Sequence, residues 1–182
     1  MSDARTRARP ARDRRSHPPA GGFVGGVRPL PSDYATQRRL HPQPEAADSD
    51  LVAIGLNPGG QPVRLARAAA EAWHRLKSAA SADGLELIAI SGFRSIERQA
   101  EIVRGKLARG QPLAAILRAT AAPGFSEHHT GRAIDLGTSG TTALEESFAS
   151  TDAFRWLERR AAEFGFHLSY ARDNPHGFIY EP

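Results

Sequence analysis

The segment Ser126-Glu-His-His-Thr-Gly-Arg-Ala-Ile-Asp135 carries the side chains best suited to chemistry in this 182-residue chain. His128 and Asp135 are separated by six residues. That spacing lets a loop residue and a residue on a following short strand turn toward one ion. An imidazole nitrogen and a carboxylate oxygen are both good zinc ligands. Gly131 permits a close or left-handed backbone turn between them, and Ala133 leaves room beside the pair. Read alone, the same residues also suit a surface loop with a solvated His-His pair and an Asp that ends a strand.

Four segments in order favour the metal reading. The run from Ser126 to Asp135 resembles the zinc-binding pattern Ser-x-His-x-x-Gly-x-Ala-x-Asp of the VanY-type D-alanyl-D-alanine carboxypeptidases. These are bacterial cell-wall metallopeptidases related in fold to the hedgehog signalling domain. Ser91-Gly-Phe-Arg-Ser95 is similar to that family's Ser-Gly-Tyr-Arg-Ser turn, and Gln99 follows it. Trp156-Leu157 and Phe164-Gly-Phe-His-Leu-Ser-Tyr170 resemble its helix-to-strand segment. Asn174-Pro-His-Gly-Phe-Ile-Tyr-Glu-Pro182 resembles the run into its Glu-Pro-Trp-His end. The likeness covers roughly residues 51 to 182.

The resemblance implies a zinc-dependent carboxypeptidase that hydrolyses the terminal D-Ala peptide bond of peptidoglycan stem peptides. His128 and Asp135 are then ligands of Zn2+, and Glu181 is the general base. Arg94 is the residue that reads the substrate's free carboxylate, because a guanidinium fork meets two oxygens at once. Gln99 and Ser126 would orient the substrate or the ligands. The family's third ligand, the His of Glu-Pro-Trp-His, is expected two positions past Pro182. That expectation leaves one alternative open, a catalytically impaired module of the same fold that binds wall peptides. His129 is expected to face solvent or to back the ligand shell, and His176 to lie outside the ligand set. His74 reads as a helix-surface residue and His167 as a strand residue.

These side chains need a scaffold, and the apolar pattern supplies one. Leu51 begins packed structure, and Asn57-Pro-Gly-Gly60 signals a turn. Leu65, Ala69, Ala72, Trp73, Leu76 and Ala80 recur at helical spacing and predict a helix over 63–80, with Trp73 in the core. Residues 85–90 predict a central strand. Ser95 is a suitable N-cap, and Ile96, Ala100, Val103 and Leu107 share the face of the helix it starts. A shorter helix follows from Pro112 to Leu117, then a short strand over 133–136. Phe154, Leu157, Ala161 and Phe164 stripe a late helix that stops at Gly165. Residues 166–169 and 178–181 predict the last strands. Mixed helices and antiparallel-type strands indicate an α+β domain, and the resemblance implies a small mixed or antiparallel sheet flanked by helices.

Composition sets the remaining bounds. The chain contains no cysteine, which excludes disulfide frameworks and thiolate metal sites. The formal charge is +4, and residues 1–40 alone, with nine arginines and three aspartates, hold +6. Residues 1–50 therefore read as a disordered Arg/Pro/Gly-rich tail ahead of a core at 51–182. The tail has no interleaved aromatics or nucleic-acid motif, so a nucleic-acid partner is not expected. No apolar run suits a secretory signal or a membrane span, whereas the resemblance implies action in the cell envelope. Oligomeric state is not legible.

Overall fold

The computed structural model describes residues 30–140 and 146–180. Packed structure begins upstream of Leu51. A one-turn helix, α1 (Tyr34–Gln37), buries Tyr34 against Leu117 and Ala122. The Tyr34 hydroxyl accepts the Ala122 amide at 3.0 Å. Residues 38–47 then run along the domain as a strap: the Gln43 amide donates to the Gly124 carbonyl and the Ala46 amide to that of His129, both at 2.8 Å. Glu45 accepts the Ile96 amide at 2.5 Å, placing a carboxylate at a helix N-terminus, where it is favoured. Residues 34–50, expected to belong to the tail, are thus packed on the domain; residues 1–29 lie outside the described residues.

β1 (Leu51–Leu56) pairs antiparallel with β2 (Pro62–Ala66) across the Asn57-Pro-Gly-Gly60 turn. Asn57 shapes this turn, its Oδ1 accepting the amides of Gly59 and Gln61. Residues 63–66 are strand, not the helix predicted there. Val63 and Leu65 alternate inward and are almost fully buried, so period two governs these residues. The helical stripe starts only with α2 (Arg67–Ala82).

A second antiparallel pair joins β3 (Ile88–Ser91) to β4 (Asp135–Gly137), with Ser91 opposite Asp135. Between these strands lie α3 (Ile96–Ala108) and α4 (Leu113–Ala119), which share a small core of Ala100, Val103 and Ile116. Ser95 caps α3 as expected, accepting the Arg98 amide at 3.0 Å. The main core forms where Trp73, Leu76 and Ala80 of α2 meet Phe154 and Trp156 of α5 (Asp152–Arg160) over Leu65 and Leu87. A 3-10 turn continues α5 to Phe164, and Gly165 ends it in the left-handed region at φ 83°.

The α+β architecture with small antiparallel sheets and flanking helices is as expected. The last two strands are not: residues 166–169 and 178–180 form no ladder. Asn174 instead takes over local backbone pairing, accepting the amides of His176 and Phe178 and donating to the carbonyls of Ala171 and Phe178. The Ile179 amide donates to the Arg118 carbonyl at 2.9 Å. Among the described residues no helix is long and apolar enough to cross a membrane.

Candidate active site

The strand register that sets Ser91 opposite Asp135 brings the two halves of the site together. The loop after β3 and the 3-10 turn Glu127–Thr130 before β4 then lie side by side. Thr130 tightens that turn by donating to the Glu127 carbonyl at 2.7 Å and accepting the Arg132 amide at 3.1 Å. Gly131 leaves it with φ 67°, and a Cβ there would stand 2.8 Å from Leu51 Cδ2. Both features expected of Gly131, a left-handed conformation and a close approach, hold at once.

His128 is buried, and its Nδ1 lies 2.6 Å from the Gly92 carbonyl oxygen. A carbonyl can only accept, so Nδ1 carries the proton in the neutral ring and Nε2 presents a lone pair. Nε2 stands 3.3 Å from Asp135 Oδ1. Two donors each about 2.1 Å from one tetrahedral ion lie about 3.4 Å apart. The separation, the donor types and the tautomer therefore all suit a shared metal ion. A ligating histidine held through its other nitrogen is the usual arrangement. Among the described residues, no group of three His, Cys, Asp or Glu side chains is disposed to hold a metal.

Charge in this pair is mutually supporting. Burial pushes the His128 pKa down, but the Asp135 carboxylate outweighs it and the net shift is upward. Burial pushes Asp135 up, and His128, then Arg94, then Ser91 carry it below the usual carboxylate range.

Arg94 reaches the same place from the opposite loop. Its guanidinium lies 3.6 Å from Asp135 Oδ2 and donates to Gln99 Oε1 at 3.0 Å and Ser91 Oγ at 3.1 Å. Gln99 is buried, and its side-chain Nε2 donates a hydrogen bond to the Ala121 carbonyl. Its two ends are thus taken by the protein, which makes it a brace for Arg94. Ser126 is buried at the start of the 3-10 turn, and its carbonyl accepts the His129 amide at 3.1 Å. Glu181 lies outside the described residues.

Other histidines separate clearly. His129 is fully buried, not solvent-facing, and burial is the main cause of its lowered pKa. His176 turns its Nδ1 to the Arg38 carbonyl at 2.9 Å. His74 is exposed on α2 as expected, and His167 is exposed but lies in no strand.

Two structural residues escaped the sequence reading. Ser91 joins Arg94 to Asp135, a role visible only once the register pairs it with Asp135. Gly92 is required by contact: a Cβ there would stand 2.4 Å from the Arg64 carbonyl oxygen.

Comparison with known proteins places the chain in a family. Residues 62–182 match the family VanY, D-alanyl-D-alanine carboxypeptidase. The chain belongs to this family. A D-alanyl-D-alanine carboxypeptidase of Enterococcus faecalis is 34% identical over 106 residues, covering 54% of this chain and 38% of that protein. The LdcB LD-carboxypeptidase, solved in a study of peptidoglycan recognition, superposes with a TM-score of 0.67 at 31% identity, covering 75% of this chain and 66% of that one. The vancomycin-resistance D,D-pentapeptidase VanY from a VanB-type cassette, solved with Zn(II), gives a TM-score of 0.58 at 29% identity, with 80% and 84% covered. The chain spans about two fifths of the length of the curated relatives it matches.

Proposed function

We propose that this VanY-family chain is a zinc-dependent carboxypeptidase that removes the terminal D-Ala from peptidoglycan stem peptides. The observation that carries the reading is the 3.3 Å approach of His128 Nε2 to Asp135 Oδ1, with Nδ1 turned away onto Gly92. The zinc complex of the VanY pentapeptidase supports the choice of ion. Zinc held here would acidify a water and polarise the scissile carbonyl.

The chain's own residues supply the rest. Arg94 binds the terminal carboxylate and fixes the last peptide bond beside His128 and Asp135; Gln99 and Ser91 hold its fork in place. Ser126 contributes to the same turn as a substrate-orienting residue. Glu181 takes the proton from the attacking water and delivers it to the departing D-Ala amine.

Metal analysis of the purified protein, paired with D-Ala release from a D-Ala-D-Ala-terminated peptide, tests the reading. The expected result is bound zinc and release that stops on chelation and returns with added zinc. Peptide binding without release, in zinc-replete protein, would favour the wall-peptide-binding module instead.

A further inference from the structure

His129 is fully buried, yet the reaction proposed above makes no use of it. Its ring bridges two backbone segments. Nδ1 lies 2.6 Å from the Arg94 carbonyl oxygen, and the Gly124 amide donates to Nε2 at 3.1 Å. A carbonyl only accepts and an amide only donates, so the ring has one tautomer, with its proton on Nδ1. The residue's own backbone is also tied down. Its amide donates to the Ser126 carbonyl at 3.1 Å, and its carbonyl accepts the Ala46 amide at 2.8 Å.

His128 and His129 therefore grip carbonyls on either side of Phe93, those of Gly92 and Arg94. Successive residues of a 3-10 turn point about 120° apart. One ring can thus face Asp135 while its neighbour grips the Arg94 carbonyl. Gln99 and Ser91 fix the tip of the Arg94 side chain. They do not fix the backbone from which it projects.

We propose that His129 is a positioning residue that holds the Arg94 backbone and thereby sets selectivity for substrates ending in a free carboxylate. The proposal rests on the carboxylate-reading role of Arg94 given above. A fork meeting a carboxylate must be held to within about 0.5 Å. Without the imidazole, the Arg94 carbonyl and the Gly124 amide lose their partner, and the turn is left held only on its amide side, by Phe93 on the Arg64 carbonyl at 2.7 Å and Arg94 on the His128 carbonyl at 3.1 Å. Carboxylate binding operates in ground and transition states alike, so the loss falls on KM more than on kcat.

The test uses His129→Asn, His129→Leu and His129→Phe in the full chain. Asn places a donor close to where Nδ1 stands and keeps the tie to Arg94; Leu and Phe fill the space without one. Amide exchange at Phe93 and Arg94, read by NMR, needs no catalysis. It should speed up at least tenfold in the apolar variants and stay near the parent's in Asn. KM for a D-Ala-terminated peptide should rise about tenfold with Leu or Phe, with little change for its C-terminal amide and no further rise in an Arg94→Lys background. Parent-like exchange in both apolar variants, or equal losses on acid and amide, overturns the proposal. If neither apolar variant folds, the Asn variant decides, since loss of its exchange protection overturns the hold on Arg94. Exchange that behaves as expected in a protein releasing no D-Ala counts against the reaction, not against that hold.

Discussion

Replacing Gly92 by Ala isolates the link between packing and the His128–Asp135 pair. Its new Cβ would meet the Arg64 carbonyl oxygen at 2.4 Å, Val63 Cγ1 at 2.9 Å and Leu65 Cδ2 at 3.1 Å. Ordinary contact begins at 3.4 Å, so the loop and β2 must separate by about 1 Å. Two hydrogen bonds lie in the path of that movement. The Phe93 amide donates to the same Arg64 carbonyl at 2.7 Å, and the Gly92 carbonyl receives His128 Nδ1 at 2.6 Å. Overpacking costs about 1–3 kcal/mol, and a lost hydrogen bond adds about 1 kcal/mol. The expected destabilisation is therefore about 2–4 kcal/mol.

The His128 ring should lose its orientation in the same step. Partners that orient a ligating histidine are worth about 10- to 100-fold in metal affinity, so zinc binding should weaken by at least about tenfold. Gly84→Ala is the control. Gly84 has φ +78° with nothing within 4 Å of the added Cβ, so it should cost about 1 kcal/mol of backbone strain and leave zinc affinity unchanged. Urea denaturation and chelator competition measure the two quantities. Gly92→Ala within about 0.5 kcal/mol of the parent would refute the steric argument. Lost stability with parent-like zinc affinity would refute the role of the Gly92 carbonyl.

His128→Ala or Asp135→Ala should each remove most bound zinc while circular dichroism stays that of the parent, because the core of Trp73, Leu76 and Trp156 lies elsewhere; undiminished zinc in both would refute the ligand assignment. Arg94→Lys keeps the charge and loses the fork, so kcat/KM on a D-Ala-terminated peptide should fall about 10- to 100-fold, against little change on the C-terminal amide. The Asp83 carboxylate accepts Trp156 Nε1 at 2.7 Å and Arg160 at 2.8 Å, and chiefly through the first its pKa is lowered. A depressed carboxylate stabilises the fold above its unfolded pKa of about 3.9 and loses that contribution as pH falls through the folded value. Asp83→Asn should accordingly flatten the loss of thermal stability below about pH 4, and an unchanged slope would count against the contact. Arg38→Ala removes a guanidinium lying 5.4 Å from the Tyr34 ring centroid and 5.0 Å from that of Phe178; proteolysis within residues 174–180 should accelerate, and an unchanged cleavage rate would show that the strap does not hold this segment.

Much of the scaffold was legible because its signals were local. The α2 stripe, the Ser95 cap and the Gly165 stop each depend on residues within a turn or two of one another. β2 was misread for a reason within the sequence. Leu65 lies in phase with both the strand alternation of Val63 and the helical stripe of Trp73 and Leu76, and five residues are too few to separate the two periods. The last segment failed differently. Apolar residues at 166–169 and 178–180 suggested strands, but Asn174 offers the backbone a competing set of side-chain partners, and Asp173 and Gly177 take positive φ values of 62° and 64°. Such turn chemistry overrides alternation.

Within the site, legibility followed chemical type. His128, Asp135 and Arg94 carry distinctive groups, and their motifs named them. The parts that hold them are generic: a carbonyl at Gly92, a hydroxyl at Ser91, a strap whose amides meet Gly124 and His129. Their roles come from the β3–β4 register and from contacts more than 80 residues apart in sequence, such as Ala46 with His129. The strap also lies outside residues 62–182, the part matched to the family. Its Ala46 amide and the Arg94 carbonyl meet on the same buried residue, His129. Changes in the strap can therefore reach the Arg94 turn without touching either metal-ligand candidate.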